Sequence, residues 1–340
     1  MERSLVRRLF PVMLLPALTC GMAVEMGGQP SVSATPARSR EVALTYRGRV
    51  TAIPPSAGEV EVWIPLAKTS REQQILQRDV RSPVPYTISQ DPDYGNDVLH
   101  VRLARPMPDS LDVEIGYVAR LGGDERPVAE PPSSPREARR DLEARGLLTI
   151  DEEVRARARE ATAGRLTRME QARGIYEDVI RRMTYDKSAP GWGRGDTRRA
   201  CQLGKGNCTD FHSLFISMAR AERIPSRFKI GVMVPEGPPG PLPGYHCWAE
   251  FYTPGEGWVP VDASEAWKHP ERAAWYFGGR APDRFLISMG RDIRLVPPQR
   301  GELVNILFYP YVEVDGKAFA AAEAEVQLRS IEREAREERI

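Results

Sequence analysis

Between Gly206 and Ser264 the hydrophobic rhythm of the chain changes from helical spacing to two-residue alternation, and that change constrains the fold more than any other feature. Phe211, Leu214, Phe215, Met218 and Ala219 share one face of a helix predicted over Cys208–Glu222, so the helix must bury along that stripe. Beyond Ile224-Pro225, the segments Arg227–Val234, His246–Tyr252 and Trp258–Asp262 read as strands, the last two joined across Pro254-Gly255-Glu256-Gly257. A helix followed by antiparallel strands is an α+β arrangement. Cys208 falls at the helix start, His246 at the start of one strand and Asp262 at the end of the next. Three separated residues can thus meet in one hydrogen-bonded chain.

Each of the three has a plain structural alternative. A cysteine at the first turn of a helix faces unpaired N–H groups that favour the thiolate, and Asn207 or Thr209 can cap that turn. The alternative is a small hydrophobe filling the core; Gly204 and Gly206 weigh against it, because they let a substrate backbone approach. In the following strand Tyr245, Cys247, Ala249 and Phe251 alternate with His246, Trp248, Glu250 and Tyr252, so Cys247 is expected to face away from the side His246 occupies. His212 lies within the Cys208 helix and His269 precedes Pro270 in a loop, which leaves His246 as the better base. Asp262 beside it would fix the imidazole tautomer. Its alternative is a turn former in Asp262-Ala263-Ser264.

Taken in order, Gly206-Asn207-Cys208-Thr209-Asp210, Arg223-Ile224-Pro225-Ser226-Arg227, His246-Cys247-Trp248-Ala249-Glu250-Phe251-Tyr252 and Gly257-Trp258-Val259-Pro260-Val261-Asp262 resemble the transglutaminase-like superfamily, whose members share a papain-like cysteine-protease core. The resemblance spans Met169 to Asp262 and extends less specifically through Gly290-Arg291-Asp292 and Tyr309–Gly316. It implies a helix bearing Cys208 packed on an antiparallel sheet bearing His246 and Asp262, with those residues as nucleophile, general base and orienter. The implied reaction is acyl transfer through a thioester, completed by water in a protease or amidase and by a lysine amine in a protein-glutamine crosslinker. The implied oxyanion donors are the backbone N–H of Cys208 and an upstream side chain, for which Trp192 is the candidate. No acidic cluster resembles the calcium sites of the animal enzymes, so neither metal nor other cofactor is expected. A binding or scaffolding module that retains the fold without turnover is the competing reading.

Around this core the chain divides into further segments. Residues 41–120 alternate with period two between Pro, Gly, Asn and Asp clusters and predict a small sandwich-like β-domain, with His100 facing solvent. Residues 121–134 read as a linker and 135–317 as the catalytic domain. That domain opens with an amphipathic helix over Ile150–Ala163, then a capping box at Thr167-Arg168-Met169-Glu170 ahead of a stripe of Met169, Ala172, Tyr176, Val179 and Met183. Phe285–Met289 and Leu303–Val314 could extend its sheet, Pro235–Gly244 reads as a mobile loop beside the base, and 318–340 reads as a charged helical tail.

Lys+Arg 48 against Asp+Glu 47 leaves a net charge of +1, which supplies no field for nucleic acid. In residues 1–40, Arg3, Arg7 and Arg8 precede an apolar run from Leu9 to Ala23 and then small residues, the pattern of a signal peptide and disordered leader. Arg7-Arg8-Leu9-Phe10 only partly matches a twin-arginine signal, and Ala17-Leu18-Thr19 before Cys20 fits a lipid-attachment box poorly. The expected location is periplasmic or secreted, with membrane contact confined to the leader in transit; the alternative is an uncleaved N-terminus in a cytosolic protein. Without the leader, Cys201, Cys208 and Cys247 remain. If Cys208 is free, Cys201 and Cys247 either pair as a disulfide in an oxidising compartment or stay as two buried thiols. The expected partners are a peptide or protein substrate and, for transamidation, an amine acceptor.

Overall fold

In residues 40–121 the alternating segments become strands: β1 (Arg40–Val50), β2 (Glu59–Leu66), β3 (Gln73–Arg81), β4 (Thr87–Gln90), β5 (Asp97–Ala104) and β6 (Leu111–Leu121). The structure, a computed structural model, describes residues 39–122, 135–279 and 282–331. In β6, Leu111, Val113, Ile115, Tyr117, Ala119 and Leu121 are buried while the residues between them are not, as a half-covered strand requires. The chain continues through α1 (Pro135–Arg140), α2 (Glu152–Thr162), α3 (Arg168–Arg182), β7 (Thr184–Tyr185), α4 (Thr197–Leu203), β8 (Lys205–Gly206), α5 (Cys208–Ala221), β9 (Ser226–Met233), β10 (Gly240–Pro241), β11 (His246–Thr253), β12 (Gly257–Val261) and α6 (Ala263–Lys268). It ends in β13 (Arg284–Met289), β14 (Tyr311–Val314), β15 (Lys317–Ala318) and β16 (Ala322–Arg329).

Beside the two-stranded β7-β8 pair, three larger sheets organise the described residues. One has the order β12-β11-β9-β13, with α5 packed on β11 and β9; it is the α+β core expected around the Cys208 helix. The other two, β10-β16-β1-β6-β3 and β15-β14-β2-β5-β4, face each other over a core that includes Leu44, Tyr46, Val62 and Ile64. The sandwich is therefore built from both ends of the chain. β16 lies antiparallel to β1, from Ala43 opposite Arg329 to Val50 opposite Ala322.

Several expectations are corrected here. The tail is not helical over its described part: residues 322–329 are strand β16, because β1 offers an open edge and Ala322, Ala324, Val326 and Leu328 turn inward with period two. Leu303–Val314 does not extend the core sheet; its residues 311–314 pair with β2 in the sandwich, whereas Phe285–Met289 does join the core sheet through β9. The Pro235–Gly244 loop is tied down, since Gly240-Pro241 pairs with β16 and the Leu242 N–H donates to the Val326 carbonyl. His100 is buried rather than solvent-facing, its ring 5.0 Å from Trp63 and its Nε2 3.4 Å from Glu61. The leader and most of the linker, residues 1–38 and 123–134, and the last tail residues, 332–340, lie outside the described residues.

Local rules explain the helices that carry the site. Thr167 and Glu170 form the capping box of α3, and Asn207 and Asp210 form one at α5. Gly206 is glycine because a Cβ there would run into the Asp210 carboxylate that folds back over the helix end. Every residue of α5 from Cys208 to Arg220 is buried, so this helix is the spine of the core.

Candidate active site

Cys208 is the first residue of α5, so its backbone N–H and its thiol share the positive end of the helix. The Asn207 side chain accepts from the Thr209 N–H at 3.0 Å, and Asp210 accepts from the Asn207 N–H at 3.0 Å. His246 opens β11 opposite Gly231 of β9, and its Nε2 lies 2.6 Å from Asp262 Oδ2. That contact leaves Nδ1 for the Cys208 thiol, with which the imidazole also hydrogen-bonds. The structure thus brings Cys208, His246 and Asp262 together from a helix, a strand and a strand-to-helix turn.

Asp262 is both turn former and imidazole partner. Its Oδ1 caps α6 by accepting from the Glu265 N–H at 3.0 Å and from Ser264 Oγ at 2.9 Å, while Oδ2 serves His246 and the Arg284 guanidinium, the latter at 2.8 Å. Burial disfavours its charge, but His246 and Arg284 outweigh burial and hold the carboxyl far below the usual carboxylate range. Burial likewise opposes the imidazolium, yet Asp262 and Cys208 raise His246 to about 10. The Cys208 thiol is pushed well below its ordinary range by a hydrogen bond from Cys247 and, against burial, by His246. Both shifts favour a thiolate facing an imidazolium, the charge distribution in which a thiol is most reactive.

Cys247 corrects one expectation and decides one alternative that was open. It does not face away: its thiol reaches Cys208 and stands 3.3 Å from Thr209 Oγ1, while burial and the neighbouring thiolate keep it protonated. Nor is it bonded to Cys201. Both are free, because Cys201 looks from α4 toward Arg157 at 3.9 Å whereas Cys247 looks into the start of α5.

Further buried groups brace the site. His212 Nδ1 lies 2.7 Å from the Cys208 carbonyl and its Nε2 accepts from the Ala263 N–H at 3.1 Å, tying α5 to the Asp262 turn as a neutral imidazole. Asp210 also accepts from the N–H groups of Gly193 and Gly195, at 2.7 and 3.1 Å, and so holds the glycine-rich loop against the helix start. Arg291, fully enclosed, reaches the Arg194 carbonyl at 3.0 Å and Ser213 Oγ at 2.6 Å from the other side. Trp192 sits at the tip of that loop, 39% exposed, with Lys187 over its ring and no hydrogen-bond partner for its indole N–H among the described residues. Also among the described residues, no group of three or more His, Cys, Asp or Glu side chains is arranged to hold a metal ion.

The transglutaminase-like superfamily profile matches residues 155–263, the segment that carries all three converging side chains. The chain carries a transglutaminase-like core. A solved structure with that same mixed architecture, a suspected cysteine protease from Cytophaga hutchinsonii, is 13% identical, covers 86% of this chain and 93% of its own, and superposes with a TM-score of 0.53. The periplasmic domain of TgpA from Pseudomonas aeruginosa is 18% identical over 68% of this chain and 90% of its own, with a TM-score of 0.36. Among curated proteins, an uncharacterized protein of Haemophilus influenzae is 30% identical over 44% of this chain and 49% of its own length, so the chain spans about half of that relative. Around the site, sequence reasoning missed Arg284, which lies outside the matched segment, and the placement of Cys247 within it. Arg284 carried no local signal, being 22 residues from Asp262 on a different strand.

Proposed function

We propose that this chain is an exported thiol enzyme acting on amide or peptide bonds. The observation that carries the reading is the hydrogen-bonded run from Cys208 through His246 to Asp262, with the thiol at a helix N-terminus. The Cys208 thiolate attacks the carbonyl carbon, the C–N bond breaks, and the leaving nitrogen takes its proton from the His246 imidazolium. The thioester is then attacked by water or by an amine, whose proton returns to His246 as the thiolate departs. Asp262 keeps the imidazole oriented and stabilises its cation throughout. Export is supported by the leader pattern in residues 1–40, which fits a periplasmic or extracellular location.

A second reading, a binding or scaffolding protein on the same fold, is favoured by the burial of Cys208, 2% exposed, since a substrate must reach that sulfur. Two measurements separate the readings. Iodoacetamide at pH 6 labels Cys208 faster than an unstructured thiol if the thiolate is formed, and His246→Ala slows it. Incubating wild type and Cys208→Ala with a peptide library, with and without an amine donor, identifies cleaved or transamidated products by mass. No products from either protein together with sluggish labelling would leave the binding reading standing, whereas products made equally by Cys208→Ala would take the chemistry away from Cys208.

A further inference from the structure

The hydrogen bonds around Tyr245 leave one proton without a protein acceptor. Asn207 spends its Oδ1 on the Thr209 N–H, which fixes the orientation of the amide and makes Nδ2 a donor to Tyr245 Oη at 2.9 Å. Thr209 Oγ1 donates to the same oxygen at 3.4 Å. Oη therefore accepts from the residues on either side of Cys208, and its own O–H has no acceptor among the described residues. The ring is held in place by Phe308 and Tyr309, with centroids 5.8 and 6.2 Å away. Gly193, at φ +79°, passes close to the hydroxyl: a Cβ there would come within 3.2 Å of Oη and 3.3 Å of Asn207 Nδ2, so glycine lets the loop approach Tyr245 this closely. The Gly193 N–H is already committed to Asp210, so it is not available as a donor to substrate.

We infer that Tyr245 is the side-chain donor of the oxyanion hole, its hydroxyl and the Cys208 backbone N–H binding the substrate carbonyl oxygen as negative charge develops on it. The inference rests on the acyl-transfer reading of Cys208. It replaces Trp192, whose indole is more exposed and is oriented by no hydrogen bond among the described residues, with a group fixed before substrate arrives. Preorganisation is what gives such a donor its value, because no dipole has to turn as the charge forms. The placement follows from the sequence order as well: Tyr245 immediately precedes His246, so one strand start sets both the base and the donor.

The test uses p-nitrophenyl acetate, whose phenolate leaves without needing a proton from His246, and compares esterolysis with alkylation by iodoacetamide, which passes through no oxyanion. Tyr245→Phe is expected to lower kcat for the ester about a hundredfold, with KM and the alkylation rate within about twofold and Tm within a few degrees. Trp192→Phe is expected to stay within about threefold of wild type. Asn207→Asp provides an independent variant, since its second carboxylate oxygen would capture the Tyr245 proton while the first still caps the helix; it should lose esterolysis to a similar degree at the pH plateau of alkylation. Esterolysis by Tyr245→Phe within threefold of wild type overturns the assignment, and so does a parallel fall in alkylation, which would make Tyr245 a support of the thiolate. An ester hydrolysis that survives Cys208→Ala would instead defeat the acyl-transfer reading itself.

Discussion

Two carboxylates are fully buried on the same four-stranded sheet and serve opposite ends. Asp262 meets His246 at 2.6 Å and Arg284 at 2.8 Å; Glu250 meets Lys229 at 2.6 Å and Arg227 at 2.7 Å. Both are held well below the ordinary carboxylate range, against burial, by two cationic partners apiece. They are also neighbours, for His246, Trp248 and Glu250 fall at alternate positions of β11, and the Trp248 ring stacks on His246 and also meets the Arg284 guanidinium. The difference lies in what stands behind the first partner. Behind His246 is the Cys208 thiol, whose proton the imidazole can take; behind Lys229 is Glu72, at 2.7 Å, on the connection between β2 and β3 of the sandwich. One array can pass a proton, and the other pins the sandwich to the core.

The sharpest way to break that contrast is to remove the titrating partner. His246→Ala should lower turnover by roughly 10⁵-fold or more, as loss of a general base does in a nucleophile–base pair. The fold should survive with Tm lowered by a few degrees, since Arg284 still faces Asp262. Turnover within tenfold of wild type would place the chemistry elsewhere. Lys229→Met should do the reverse: about 3–5 kcal/mol of stability lost, because the buried Glu250 and the partly buried Glu72 lose their shared ammonium, while activity per folded molecule is kept. Urea unfolding and active-site titration of the same samples decide it, and an unchanged midpoint would show that this array contributes nothing to holding the sandwich.

The two arrays should also differ in their response to pH. His246 is raised to about 10 from an unfolded value near 6.5, so its stabilising contribution is complete below about pH 6.5, declines as pH rises and is gone above about 10. Asp262 and Glu250 are depressed, so their contributions are present above about pH 4 and are lost as pH falls further. Thermal unfolding from pH 5 to 11 should therefore show an alkaline decline that His246→Gln flattens and Lys229→Met leaves in place. A decline indifferent to His246→Gln would assign it to other groups.

Much of this could be read from residue order because it is locally determined. The Cys208 helix, its cap and the β11–β12 hairpin depend on neighbours within a few residues, and all three follow the expected pattern. What escaped depends on distant chain. Glu72 reaches Lys229 across 157 residues, and β16 finds its edge at β1 although Ala- and Glu-rich composition favours helix. A signal for β16 was present in the inward series Ala322, Ala324, Val326 and Leu328, whose period is two. Cys247 escaped for a different reason. Strand alternation assigns faces along β11, but Cys208 at the end of a helix crossing the strand touches both His246 and its neighbour.

The finest probe of the contrast is Arg284. Its guanidinium shares Asp262 Oδ2 with the imidazole, so it withdraws from His246 part of the negative charge that raises the imidazole's basicity. Its Nε is buried without a hydrogen-bond partner among the described residues, a cost of about 1–3 kcal/mol. Arg284→Gln removes that cost together with the ion pair, so stability near neutral pH should change little. With Asp262 given wholly to the imidazole, His246 should titrate above its present value of about 10, by up to about one unit. Nitrogen-15 shifts of the His246 ring measure this directly. A downward movement would mean that Arg284 chiefly holds Asp262 in place for the imidazole, and the carboxylate array at the site would then be a positioning device like the one at Glu250.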